Sequence, residues 1–184
     1  MHPSHPRTLL AAALLLPALA GCGSDGGTGP SRLTADQVGA EYRICSLSFT
    51  PDGGSPPALD IRGAVMDTTA ASSPVLRVGR TVQSFELEYQ KKGDVLRPRF
   101  TGSYDTGGSD VTLGFGSDAR STLLLPAALT LTFQASPRRL TIRSEPFYSV
   151  SRADFERISG KTYPNARDQI SGTLAGTFSE GACN

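Results

Sequence analysis

Three cysteines, two histidines and 17 Asp or Glu side chains are what this 184-residue chain has for covalent, metal or acid–base chemistry. Both histidines, His2 and His5, precede an apolar stretch that begins at Leu9, so no imidazole exists in the remainder of the chain. Serine–histidine and cysteine–histidine pairs are therefore excluded there, as are histidine zinc sites. Cys22, Cys45 and Cys183 lie far apart, with no Cys-x-x-Cys spacing and no further ligand cluster, which argues against a redox or metal centre. No glycine-rich phosphate loop has a recognisable spacing. Asp105-Thr-Gly-Gly-Ser-Asp110 sets two carboxylates around a flexible turn, but it lacks the oxygen-ligand order of calcium loops and reads as a hairpin turn. A hydrolase built on paired carboxylates needs only spatial pairing, to which residue order is blind. No enzyme signal rises above that background, and the expectation is a protein without catalytic residues, cofactor or metal.

The first 22 residues carry the most specific signal. Arg7 is the only full charge of a short leading region, Leu9 to Leu16 is apolar, Pro17 interrupts it, and small residues lead to Cys22. These are the zones of a secretory signal peptide, and about 12 apolar residues fall short of the roughly 20 that span a bilayer. Leu19-Ala20-Gly21-Cys22 resembles the lipobox of bacterial lipoproteins at all four positions. The resemblance implies cleavage before Cys22 and acyl chains, palmitate among them, on the Cys22 thiol and the new amino group. In that family an aspartate directly after the cysteine retains the protein at the inner membrane; Gly23 stands here instead, which points to the outer membrane of the cell envelope. Several chains bury many methylenes at about 0.8 kcal/mol each, so the implied membrane partner is permanent.

Cleavage would remove residues 1–21 of 184 and leave 163, enough for one domain. Residues 22–32, rich in Gly, Ser, Asp, Thr and Pro, read as a flexible tether, and 33–184 as a single folded domain. Without Arg7 the 18 basic residues become 17 and balance the 17 acidic ones, so nucleic acid is not an expected partner. Arg97/Arg99 and Arg138/Arg139 are local positive spots expected to be solvated. In an oxidising envelope compartment, Cys45 and Cys183 read as a disulfide fastening the last strand to the first. Its loop of about 139 residues would give about 4–5 kcal/mol in the chain-entropy picture.

The domain opens with Thr34-Ala-Asp-Gln37, a capping-box pattern for one helical turn that Gly39 can end. From Glu41 onward the period is two: Phe85, Leu87 and Tyr89 alternate with Glu86, Glu88 and Gln90, and similar runs recur to Phe178. Strands are expected at about 41–50, 58–66, 75–80, 82–91, 94–105, 109–116, 120–125, 128–135, 138–146 and 169–179. Short turns at Lys91–Asp94, Thr106–Ser109 and Ser136–Arg138 separate neighbours, so the chain reads as an all-β, antiparallel up-and-down meander of eight to ten strands. Ser151 can cap one short helix near 151–159 that packs through Phe155 and Ile158. Such a meander avoids exposed edges by closing into a barrel; a β-sandwich is the alternative that also brings the ends together.

A helical turn, a strand Gly39-Ala-Glu-Tyr42-Arg-Ile-Cys-Ser-Leu47, a hairpin meander and a late helix before a final strand resemble lipocalin-like bacterial lipoproteins. The family's Gly-x-Trp is missing, since the chain has no tryptophan. The resemblance implies a cup for a small apolar molecule or lipid, which Phe85, Tyr89, Phe100, Tyr104, Phe115, Phe133 and Phe178 would line. Gly63, Gly102, Gly172 and Gly176 fall on the dry face, where they either leave volume for a ligand or permit close backbone approach. The competing reading is a structural or protein-interaction lipoprotein without a ligand, its protein partner unknown.

Overall fold

The computed structural model describes residues 32–69, 73–143 and 148–183; the expected signal segment, Cys22 and the tether to Ser31 lie outside the described residues. Among the described residues the two-residue period yields ten antiparallel strands: β1 (Glu41–Pro51), β2 (Leu59–Asp60), β3 (Val75–Val78), β4 (Ser84–Glu88), β5 (Arg99–Gly107), β6 (Asp110–Gly114), β7 (Ala128–Ala135), β8 (Arg138–Ile142), β9 (Tyr148–Ser151) and β10 (Gln169–Ser179). Eight of them close into a barrel in the order β1-β3-β4-β5-β6-β7-β8-β10, because β10 returns to β1 from Arg43↔Ser179 to Pro51↔Gly172. β2 and β9 extend β1 and β10 outside that ring. Closure removes the edges a flat meander would expose, so the barrel rather than the sandwich is the fold.

β1 bulges at Cys45, since Ile44 pairs with Phe178 and Ser46 with Thr177. The extra residue moves the buried set from Tyr42 and Ile44 to Leu47 and Phe49. It also leaves Cys45 half-buried and bonded to Cys183, 138 residues away, with Cα atoms 5.2 Å apart.

The two ends of the barrel differ. At one, which we call the turn end, β3–β4, β5–β6 and β7–β8 are joined by short turns. The helical turn α1 (Ala35–Val38) lies there, with Leu33, Ala35 and Val38 on the core. Its capping box forms as expected: Gln37 N donates to Thr34 Oγ1 at 3.4 Å, and Thr34 N to Gln37 Oε1 at 2.8 Å. At the other, helix end are α2 (Ile61–Val65), α3 (Ser117–Leu123) and α4 (Arg152–Ser159), with α4 packed on both others. Ser151 caps α4 by accepting from Asp154 N at 3.1 Å, and Phe155 and Ile158 are buried.

Two expected strands are mostly helix. In 58–66 only Leu59–Asp60 is strand, with Met66 in an isolated bridge to Lys91; Asp60 Oδ1 accepts from Gly63 N at 3.0 Å and caps α2. Ile61 and Val65 fit alternation, but being four apart they also fit one helix face. In 120–125 the first four residues belong to α3, whose buried Ala119 and Leu123 are again four apart, and Leu124 ends it at φ 54°. Short apolar runs satisfy both periods. The strand expected over 138–146 ends at Ile142, residues 144–146 lie outside the described residues, and β9 follows as an unexpected strand.

Candidate functional site

Alternation aims the expected ligand-lining rings inward, and there they join the hydrophobic core. Phe85, Tyr89, Tyr104, Phe115 and Phe178 are buried, while Phe100 and Phe133 are half-buried against the same core. Phe85 meets Phe115 edge-on at 4.7 Å between centroids, and Tyr89 stacks on Phe100 at 6.4 Å. Phe155 of α4 reaches down to Phe49 of β1 at 6.1 Å, so α4 meets the barrel core through aromatic contact. Buried hydroxyls find backbone acceptors: Tyr42 donates to Val38 O at 2.6 Å and Tyr104 to Gly79 O at 2.7 Å. Burial pushes the Tyr42 and Tyr89 phenols up to about 12 and raises that of Tyr104.

The inward glycines mark close approach rather than open volume. A Cβ on Gly102 would run into the Gly114 carbonyl and the Phe85 ring, and one on Gly172 into the Thr50 carbonyl and the Phe49 ring. At Gly176 the methyl of Ile142 fills the space, 2.8 Å from where a Cβ would stand. Gly63 belongs to α2, where its neighbour is the capping carboxylate of Asp60. An apolar pocket among Leu129, Ile142, Tyr148 and Leu174 has about 10 Å³, on the order of one water.

The larger hollows open to solvent at the helix end. One, of about 540 Å³, lies between the turn after β1 and the loop entering β10, and Asp52, Asn165, Arg167 and Gln169 give it polar walls. Another, of about 440 Å³, flanks the β4–β5 hairpin at Asp67, Gly93, Asp94 and Val95. That hairpin exposes Val95 and Leu96 to 86% and 59%. The strand expected over 94–105 thus starts late and leaves Leu96 outside it, because β5 begins only at Arg99.

The positive spots are not simply solvated. Glu88, 9% exposed, receives Arg77 Nη1 at 3.1 Å, Arg99 Nε at 3.3 Å and Arg97 Nη1 at 3.7 Å, while Arg77 also binds Glu86 and Glu41. The ladder β1-β3-β4-β5 puts these charges side by side, a juxtaposition that only pairing register reveals. Arg138 Nη2 donates to the carbonyls of Asp36, Gln37 and Gly39, and its Nη1 pairs with Glu180 at 3.2 Å. Arg80 Nε donates to Gly39 O at 3.0 Å, so two arginines hold the C-terminus of α1. Arg139 Nε is buried without a hydrogen bond.

No described helix is long and apolar enough to cross a membrane, which does not bear on strands. Among the described residues no group of three or more His, Cys, Asp or Glu side chains could hold a metal. No protein-family model, curated protein or solved structure matches this chain.

Proposed function

We propose that this is a lipid-anchored envelope protein whose barrel serves as a rigid platform for contacts with other macromolecules, rather than as a cup for an apolar ligand. The observation that carries this choice is the filled interior, where Phe85, Phe49 and Ile142 occupy the space beside Gly102, Gly172 and Gly176. An eight-stranded barrel is wide enough either to be filled by side chains or to hold one small ligand, and beside these three glycines the side chains take the room. The anchor rests on Leu19-Ala20-Gly21-Cys22, and an oxidising location is consistent with the Cys45–Cys183 bond.

Two measurements test this reading. Labelled palmitate fed to the producing cells enters the parent chain and not Cys22→Ser; equal labelling of both overturns the anchor. Native mass spectrometry of a soluble form starting at Gly23, mixed with envelope lipid and metabolite extract, yields the bare mass. A discrete bound mass restores the ligand cup, and crosslinking in the native envelope that recovers no protein partner removes the platform.

A further inference from the structure

We propose that the turn end of the barrel is the surface that rests on the bilayer bearing the Cys22 anchor, so that the helix end faces the aqueous compartment. This builds on the lipid-anchored reading above and adds to it an interaction surface and its partner, the anchoring membrane.

The first observation is where the tether meets the domain. Arg32 Nε donates to Thr106 O at 2.8 Å, Leu33 N to Gly108 O at 3.3 Å, and Thr106 Oγ1 to Leu33 O at 2.9 Å. The chain is thus fastened to the β5–β6 turn as it emerges from the tether. The Cys45–Cys183 bond binds the far terminus to β1, just beyond the last residue of β10.

The second is reach. Nine residues separate Cys22 from Arg32, and by random-coil statistics a chain of that length spans about 15–18 Å on average and about 30 Å at full stretch. The longest strands, β1 and β10, have 11 residues each. At about 3.3 Å per residue and a tilt of about 40°, they make the barrel about 28 Å tall. Bringing the helix end to the membrane would require the tether to run the height of the wall almost fully extended. The turn end is within its ordinary range.

The third is the chemistry of the two ends. The turn residues Thr81–Gln83, Gly107–Ser109 and Ala135–Pro137 carry no charge, and Val82 projects from them 66% exposed. Several charges at this end have partners, Arg80 on Gly39 O, Arg138 on Glu180 and α1, and Arg32 on Thr106 O, while Asp36 and Asp105 are exposed. The helix end has more exposed charges, among them Lys91, Lys92, Arg120, Arg157 and Arg167, although Lys92 reaches Gly63 O, Arg120 reaches Ser149 O and Arg157 pairs with Asp154, and Val95 and Leu96 are exposed there too. Facing a membrane costs least where the fewest charges lose water.

The test places a photoreactive benzoylphenylalanine at Val82 or at Val95, two exposed positions at opposite ends. The oxidised form beginning at Cys22 is coupled through that thiol to a maleimide phospholipid in nanodiscs of phosphatidylethanolamine and phosphatidylglycerol. Orientation is thereby read even if natural acylation fails, which intact-mass analysis of the cell-made protein checks separately. Lipid adducts at Val82 are expected at fivefold or more over Val95. Equal yields, or more at Val95, overturn the orientation without touching the anchor; missing acyl mass on the cell-made protein overturns the anchor alone. In native envelope, Val82 adducts to protein instead of lipid also overturn the proposal.

Discussion

Adding one methyl at Gly172 asks whether the barrel is filled. The nearest atoms to a Cβ there include the Thr50 carbonyl oxygen, the Phe49 Cζ at 2.7 Å and the Pro51 Cα at 2.9 Å. Two of these are backbone of β1, paired with β10 at this register, so relief requires the two strands to separate. Overpacking of this kind costs about 2–3 kcal/mol, at the upper part of its usual range. At about 2–4 °C per kcal/mol for a domain of this size, Gly172→Ala lowers Tm by about 4–12 °C. Gly176→Ala meets the flexible end of Ile142 at 2.8 Å, which a rotamer change relieves, and Ser46 O at 3.0 Å, which must give by a few tenths of an ångström, together about 1 kcal/mol. Gly114→Ala, whose nearest neighbour is 3.5 Å away, is neutral or gains up to about 1 kcal/mol from the lower entropy of its unfolded chain. Urea midpoints and calorimetry on the soluble form should rank the variants Gly114, then Gly176, then Gly172 in falling stability. A Gly172→Ala protein as stable as Gly114→Ala would refute the filled interior and return weight to the ligand cup.

Three further outcomes follow from the same contacts. Cys45→Ala/Cys183→Ala frees a 138-residue separation and loses about 4–5 kcal/mol at most, lowering Tm by about 8–20 °C; a fall matching that of the parent in reductant confirms the source, and an unchanged Tm contradicts it. Arg138→Lys cannot span three carbonyls and Glu180 at once, so amide exchange at Val38 and Gly39 should quicken with a loss of about 1–2 kcal/mol, while β7 stays protected; unaltered exchange would remove the α1 clamp. Tyr42 and Tyr89 titrate at about 12 in the fold against an ordinary value of 10.0, so the folded form keeps protons that the unfolded chain releases. The stability tied to them is whole below pH 10 and is lost as pH rises from 10 to 12. In a spectrophotometric titration these two of five tyrosines should ionise with alkaline unfolding; their free ionisation near pH 10 in the intact fold would contradict the burial.

What residue order determined by itself is everything that depends on near neighbours or on elimination. The two-residue period of Phe85–Tyr89 or Ile170–Phe178 sets which side chains can share a face, so strands and most core residues were legible. Thr34 with Gln37, and Ser151 with Asp154, announce α1 and α4 because caps are local hydrogen bonds. Cys45 and Cys183 were the only pair left once Cys22 was assigned to the lipobox. Tertiary structure alone decided the rest. Ile61/Val65 and Ala119/Leu123 satisfy strand and helix periods alike, and only packing at the helix end selects helix. Whether Gly172 means a hollow or a tight crossing depends on Thr50 and Phe49, over 120 positions away. Glu88 reads as a wet-face residue until register sets Arg77 and Arg99 on either side of it. Closure of β10 onto β1 is the common cause, since it brings distant residues within ångströms by pairing that no local pattern encodes.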